Sequence, residues 1–168
     1  FPETYGEDVY LVKTLGVAGI KAYEEDGLKN PTAVATSLKH YLGYSASRNG
    51  KDRTPIYLPE IELREYYLPQ FREAVRTGSA SVMVNSSEIN GIPVHANRYL
   101  LIDVLRKELG FEGVIVTDWE DIKRLHDRHN VAATPREAVV MAINAGIDMS
   151  MVPSDYSFYD LLIEAVKK

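Results

Sequence analysis

Gly113-Val114-Ile115-Val116-Thr117-Asp118-Trp119-Glu120-Asp121 is the stretch on which the reading of this chain turns. Val114, Ile115 and Val116 are successive β-branched residues, which suit a parallel strand covered on both faces. Such a strand has no water to offer a carboxylate at its end. Asp118 therefore either leaves the strand to face a cleft or is a costly buried charge. An acid at that place, followed by an indole, is one way to build a sugar site. The acid supplies a nucleophile or base, and Trp119 supplies a flat apolar wall for a pyranose ring. The competing reading makes Asp118 a cap for the next helix.

Outward from this strand, the chain alternates. Leu11, Leu15, Ala18 and Ala22 recur at helical spacing behind Glu7 and Asp8, and Asp26-Gly27 closes that leading helix. Residues 33–38 read as a strand that exits into Lys39-His40-Tyr41, and a long polar loop fills 43–59. A helix with Leu63, Tyr67, Phe71 and Ala74 on one face follows, kinked at Pro69. A second strand at 80–84 exits into the turn-rich 85–91 loop, and Asn97 caps a helix that Gly110 closes. Beyond the opening stretch, Thr134-Pro135-Arg136-Glu137 is a capping box for a helix ending at Gly146. A fourth strand spans 147–151. A last helix starts at Pro153-Ser154 with Tyr159, Leu162, Ile163 and Val166 as its apolar stripe.

The class expected is α/β: four βα units in sequence, hence a parallel sheet with right-handed crossovers and half of a TIM-like (β/α)8 barrel. An open doubly wound sheet is the alternative, without a glycine-rich phosphate fingerprint to support it. In a barrel the strand C-termini form the catalytic face. The distinctive residues gather there: Lys39 and His40, the 85–90 loop, and Asp118 with Trp119. Half a barrel leaves an apolar edge and its lumen open, so a missing partner segment or a self-pairing oligomer is expected.

Composition narrows the classes. The 168 residues are 45% hydrophobic and 26% charged, with a net charge of −5. This is an ordinary globular composition whose mild acidity argues against a nucleic-acid partner. There is no cysteine, so disulfides and thiolate chemistry are excluded. No apolar run approaches the ~18 residues that a bilayer span needs, so no membrane partner is expected. Phe1-Pro2-Glu3-Thr4-Tyr5-Gly6 is not a signal peptide, and the chain reads as cut from something longer.

Each candidate has a structural counter-reading. Lys39 and His40 point to opposite faces of an ideal strand, and serve one ligand only if the chain turns there. Glu88, Asn90 and His95 lie after the second strand, where Asn90-Gly91 is explained by turn chemistry alone. His126 and His129 have a spacing that can serve a metal, against the reading of a solvated charged loop. No metal and no cofactor is expected. Met83, Met149 and Met151 read as core fillers.

Five blocks in order resemble the glycoside hydrolase family 3 β-glucosidases and their xylosidase relatives. They are Glu3-Thr4-Tyr5-Gly6-Glu7-Asp8; Lys39-His40-Tyr41; Asp52-Arg53-Thr54-Pro55 with the helix from Glu62 to Pro69; Ser81 to Asn97; and Gly110 to Trp119. The resemblance implies that residues 1–168 are the C-terminal part of the catalytic barrel, without its first half and without the following domain that holds the acid/base. It implies a retaining hydrolase that releases β-linked glucose or a related sugar from non-reducing ends. Asp118 is then the nucleophile, and Lys39, His40, Met83, Trp119, Glu88 and Ser86 surround the substrate. Ser86 stands where relatives often carry a tyrosine, which leaves open what hydrogen-bonds to Asp118. The N-acetylglucosaminidase branch is disfavoured, because Tyr41-Leu42-Gly43-Tyr44-Ser45 lacks its histidine. A secreted or periplasmic location is suggested by the resemblance alone. The partners expected are an oligosaccharide or β-glucoside and the rest of the barrel. The alternative is a non-catalytic, self-associating half-barrel that binds sugars.

Overall fold

Residues 3–167 are described by the structure, a computed structural model; Phe1, Pro2 and Lys168 lie outside the described residues. Strands β1 (Ser37–Tyr41), β2 (Ser81–Val84), β5 (Val114–Trp119) and β6 (Met149–Met151) form one parallel sheet in the order β1-β2-β5-β6. Consecutive βα units thus stand side by side, as in a barrel, and supply four of the eight units that closure needs. A separate hairpin, β3 (Glu88–Ile89) with β4 (Ile92–Pro93), follows β2. Its two-residue turn is Asn90-Gly91, both at positive φ, as a tight hairpin turn demands.

The helices cover one face of the sheet. Val82, Val84 and Ile115 are fully buried there, in one cluster with Leu68, Leu101, Leu105, Leu125 and Ala142. The other face is open at its entry end: Val114 is 45% and Met149 55% exposed. One expectation from the sequence is met and one is corrected. The third strand is buried on both faces from Ile115 to Asp118 and open only at Val114 and Trp119, and Met149 is not a core filler. Four strands do not close a barrel, and on the face away from the helices the entry end of β5 and β6 is exposed at Val114 and Met149, whereas Val116 and Asp118 are buried.

Gly113 sets the approach of β5 to β2. A Cβ there would lie 2.2 Å from the Ala80 carbonyl oxygen, so only glycine lets the strands pair. Arg106 fastens the same end. It donates to the carbonyls of Phe111 (3.0 Å) and Gly113 (2.7 Å) and to Asp148 (2.5 Å), whose carboxylate also accepts the Ile115 amide at 2.7 Å.

Helix boundaries follow local chemistry. Asp8 caps Val9–Tyr23 by accepting the Leu11 amide at 2.7 Å. That helix ends before Asp26-Gly27, and its inward stripe is not the expected one. Leu11 and Leu15 are exposed, while Val12, Gly16, Gly19 and Ile20 face a cavity of about 550 Å³ against β1 and Phe71. The stretch 60–77 is one helical rod with a wide π turn at Leu63–Tyr67 just before Leu68–Thr77. The Leu68 amide reaches back to Leu63, and Pro69, which has no amide to donate, is taken into the first turn of the next segment. The capping box at Thr134 forms in a shifted version: its hydroxyl accepts the Glu137 amide at 3.1 Å, while Glu137 accepts the Ala133 amide at 2.7 Å, one residue before the cap. The last helix spans Ser157–Val166, later than Pro153-Ser154. Phe158, Leu161 and Leu162 pack on the core, whereas Tyr159 and Val166 are exposed. Of the expected stripe, Leu162 packs inward and Tyr159 and Val166 do not, because apolar residues recur on both sides of this short helix.

Candidate active site

Two β-bulges shape the C-terminal end of the sheet. Between β1 and β2 the register runs Leu38 to Val82 and then Tyr41 to Val84, three steps against two. Between β5 and β6 it runs Val116 to Met149 and then Trp119 to Met151, again three against two. A bulge turns the extra residue out of the pleat alternation. The first falls at Lys39-His40 and the second at Thr117-Asp118. Neither pair therefore lies beyond a strand end, as the sequence suggested; both lie within strands that the bulges bend. The bulge at Lys39-His40 is also the local turn that two neighbouring residues need in order to serve one site. In the second bulge the Thr117 hydroxyl accepts the Met151 amide at 2.8 Å, which replaces a lost ladder bond.

Asp118 is the centre of this end. Its Oδ1 accepts the Trp119 amide at 2.6 Å. Its Oδ2 accepts the Ser86 hydroxyl at 2.9 Å and the Arg53 guanidinium at 3.0 Å, with His40 Nε2 at 3.7 Å. Burial pushes its pKa up, but the Trp119 amide, the Ser86 hydroxyl, Arg53 and His40 outweigh burial and hold it below the ordinary carboxylate value. The carboxylate is ionised and nine-tenths buried. It does not cap the following helix, Asp121–Asp127, whose N-cap is Glu120 in a left-handed conformation (φ 57°).

Ser86 sits in the loop directly after β2 and hydrogen-bonds to Asp118 itself. Asn85 holds that loop by accepting the Ser87 amide (2.9 Å) and donating to the Leu42 carbonyl (2.8 Å).

His40 stacks on Tyr44 with ring centres 4.2 Å apart. Burial lowers its pKa more than Asp118 raises it, so the imidazole is neutral at pH 7. Tyr44 donates to Asp52 at 2.6 Å; burial and this bond push its phenol up to about 12. Lys39 is half exposed and pairs with Glu3 at 2.7 Å. Met83 lies in register with Val116, two residues before Asp118. Trp119 is 48% exposed, an indole face open to solvent. Glu88 lies in the hairpin and faces His129 Nδ1 at 3.5 Å.

The structure brings here Arg53, Asp121 and Arg124, which the sequence did not assign to the site, together with His95, a candidate from the loop after the second strand. Arg53 comes from the long polar loop, with nothing in its spacing to mark it. Beneath the site, His95 and Asp121 are both 2% exposed, 3.6 Å apart, with Arg124 donating to Asp121 at 2.7 Å. Burial drives the His95 pKa down to about 4 despite the nearby carboxylates. The segment of His126 and His129 is not a solvated loop: His126 lies in the Asp121–Asp127 helix and donates to the Ala132 carbonyl at 3.0 Å. Among the described residues, no group of three or more potential ligands is placed to hold a metal. No helix of the described residues is long and apolar enough to cross a membrane.

Known proteins resemble this chain along nearly its whole length. Residues 2–168 match the glycosyl hydrolase family 3 N terminal domain. The chain is 48% identical to a lysosomal beta glucosidase of Dictyostelium discoideum over 98% of its own length and 21% of that protein's. It is 38% identical to a periplasmic beta-glucosidase of Salmonella typhimurium, over 94% of this chain and 20% of the relative. Among solved structures, a β-glucosidase from Erythrobacter marinus superposes with a TM-score of 0.91 at 34% identity, covering 96% of this chain and 22% of that one. A Listeria innocua beta-glucosidase in complex with glucose superposes with a TM-score of 0.92 at 30% identity, covering 98% and 23%. The chain thus spans about a fifth of the length of these relatives. Its sequence, its parallel βα architecture and its match over nearly every residue place it in glycosyl hydrolase family 3, within the N-terminal domain.

Proposed function

We propose that this chain carries the nucleophile half of a retaining β-glucosidase-type hydrolase, as the C-terminal part of its barrel. One observation carries the reading: an ionised, nearly buried carboxylate at the C-terminal end of a central parallel strand, beside an exposed indole. Asp118 Oδ2 is taken up by two donors, whereas Oδ1 accepts a single amide. Oδ1 therefore keeps a lone pair for the anomeric carbon. It forms the glycosyl–oxygen bond as the bond to the leaving oxygen breaks, and a second carboxyl, from elsewhere in the full polypeptide, protonates that oxygen. The same carboxyl later deprotonates the water that releases the sugar. Retention places the two carboxyls about 5–5.5 Å apart.

Lys39 and His40 hold sugar hydroxyls in the innermost subsite. Lys39 exchanges its contact with Glu3 for one of them, and neutral His40 both donates and accepts. Trp119 and Met83 form the apolar wall, Ser86 orients the nucleophile, and Glu88 lies at the rim. The sugar is β-linked glucose or a close relative, in keeping with the β-glucosidases and β-xylosidases among the relatives. The remaining partner is the rest of the barrel, whose place is the open sheet face and the free edge of β1.

The test is to incubate the full polypeptide with a 2-fluoro-β-glucoside and map the adduct by peptide mass spectrometry. The fluorine slows hydrolysis of the glycosyl-enzyme. A single adduct on the peptide containing Asp118 is expected. An adduct elsewhere, or none in a preparation that hydrolyses β-glucosides, rejects the assignment.

A further inference from the structure

The loop between β1 and the helical rod is stitched at its base and held by side chains at its tip. At the base, Ser47 bridges to Ile56, and Ile56 bridges to Ile89 of the hairpin. The Ile56 amide donates to the Glu88 carbonyl at 2.9 Å, and the Asn90 amide donates to the Ile56 carbonyl at 2.8 Å. The tip has no such ladder. Within it, Asn49 accepts the Lys51 amide and the Thr54 hydroxyl, both at 2.9 Å. Arg53, at the tip, has a left-handed backbone (φ 56°), a conformation that a long side chain adopts only when its surroundings impose it. One group from outside the loop grips that backbone: the Arg128 guanidinium donates to the Arg53 carbonyl. Arg128 is the residue that follows the Asp121–Asp127 helix, so it belongs to the segment launched by the nucleophile strand.

We propose that Arg128 is a positioning residue for the reaction, acting through Arg53. By holding the Arg53 carbonyl it fixes the backbone from which the Arg53 guanidinium reaches Asp118 Oδ2. The proposal rests on the reading of Asp118 as nucleophile. Two contacts thus close a ring: Asp118 to the Arg53 side chain, and the Arg53 carbonyl back to the helix that starts just after Asp118. The tip also has its own brace, with Asp52 taking the Tyr44 hydroxyl at 2.6 Å and lying 3.5 Å from Arg53 Nε. That brace orients the guanidinium, and it leaves the carbonyl to Arg128. A small displacement of an orienting group costs up to about a hundredfold in rate, and the indirect contact at Arg128 is expected to cost about tenfold.

The test is a double-mutant cycle in the full polypeptide, Arg128→Ala, Arg53→Ala and both, with Arg128→Lys as the conservative variant. Three quantities are read: kcat/KM on an aryl β-glucoside, its acid limb, and hydrogen exchange of the peptide over 48–56. Arg128→Ala is expected to lower kcat/KM about tenfold, to raise the acid limb, and to speed exchange of the tip amides. Arg128→Lys is expected to recover part of each. The double variant is expected to be no worse than Arg53→Ala. Additive losses overturn the proposal, because Arg128 then acts independently of Arg53. Unchanged exchange and an unchanged acid limb in Arg128→Ala also overturn it. A wild-type protein that hydrolyses no β-glucoside, with faster tip exchange in Arg128→Ala, instead rejects the reading of Asp118 and leaves the latch standing.

Discussion

The two ends of the same sheet each hold a buried carboxylate, and the contrast between them separates support from chemistry. At the N-terminal end, Glu24 is 6% exposed. Its Oε1 accepts the Thr36 amide (2.6 Å), the Thr36 hydroxyl and the Ala80 amide (3.0 Å). Its donors come from the segments that lead into β1 and β2, so it ties two strands together at their entry. At the C-terminal end, Asp118 sits on a bulge, and two of its donors are side chains from loops, Ser86 and Arg53. The donors to Glu24, two amides and the Thr36 hydroxyl, are fixed at the strand entries, whereas side chains from two loops set the field around Asp118. Barrel folds divide their labour in the same sense, with stability at the strand entry and reaction at the exit.

The largest expected effect is on activity alone. Asp118→Asn should lower kcat/KM by at least about a thousandfold in the full polypeptide, because the covalent step has no substitute. Its melting temperature should stay close to wild type. Appreciable turnover in that variant, measured on a β-glucoside, would put the nucleophile elsewhere.

The mirror experiment is Glu24→Ala. It strands the Ala80 amide and the Thr36 donors at the strand entry, at a cost of about 3 kcal/mol in unfolding free energy. kcat/KM at room temperature should hardly change. A loss of activity without a loss of stability would erase the distinction between the two ends.

His95 extends the contrast to pH. Its folded pKa, pushed down to about 4 by burial, lies below the ordinary histidine value of 6.5. The unfolded state therefore binds the extra proton between those values. The stability that neutral His95 contributes is complete above pH 6.5 and is lost as pH falls towards 4. The loss amounts to a few kcal/mol. Chemical denaturation at pH 7 and pH 4.5 should show it, and His95→Asn should flatten the slope. The acid limb of kcat/KM moves differently. Asp118 must be ionised to attack, and its pKa is held below the usual carboxylate value, so activity survives to acid pH while stability declines.

The smallest effect sharpens the site. Ser86→Ala removes one of two side-chain donors to Oδ2. A loss of roughly fivefold in kcat/KM is expected, from about 1 kcal/mol of hydrogen-bond energy, with the acid limb shifted upward. A flat pH response would show that Arg53 and the Trp119 amide set the Asp118 pKa by themselves.

Much of the architecture was legible because it rests on local rules. β-Branched runs, the Asn90-Gly91 turn, the Thr134 capping box and the Asn97 cap, which takes the Leu100 amide at 3.1 Å, each use neighbours within a few residues. Helix phase was less legible. Leu11 and Leu15 look like an inward stripe, but the inward surface is Val12, Gly16, Gly19 and Ile20, where small residues allow close approach. Strand ends were misplaced at Lys39-His40 and at Asp118-Trp119, because a bulge is a property of the pair of strands and leaves no periodic mark in either.

By itself the sequence determined the α/β class, the order of the βα units and the presence of an acid in the last residues of the third strand. These follow from periodicity, turn chemistry and the cost of leaving a carboxylate in an apolar strand. Only the tertiary structure decided what holds that acid. Arg53, Ser86 and Trp119 meet Asp118 from three places in the chain. A contact between distant residues depends on where bulges, loops and helices place their side chains, and no spacing in the sequence encodes that distance.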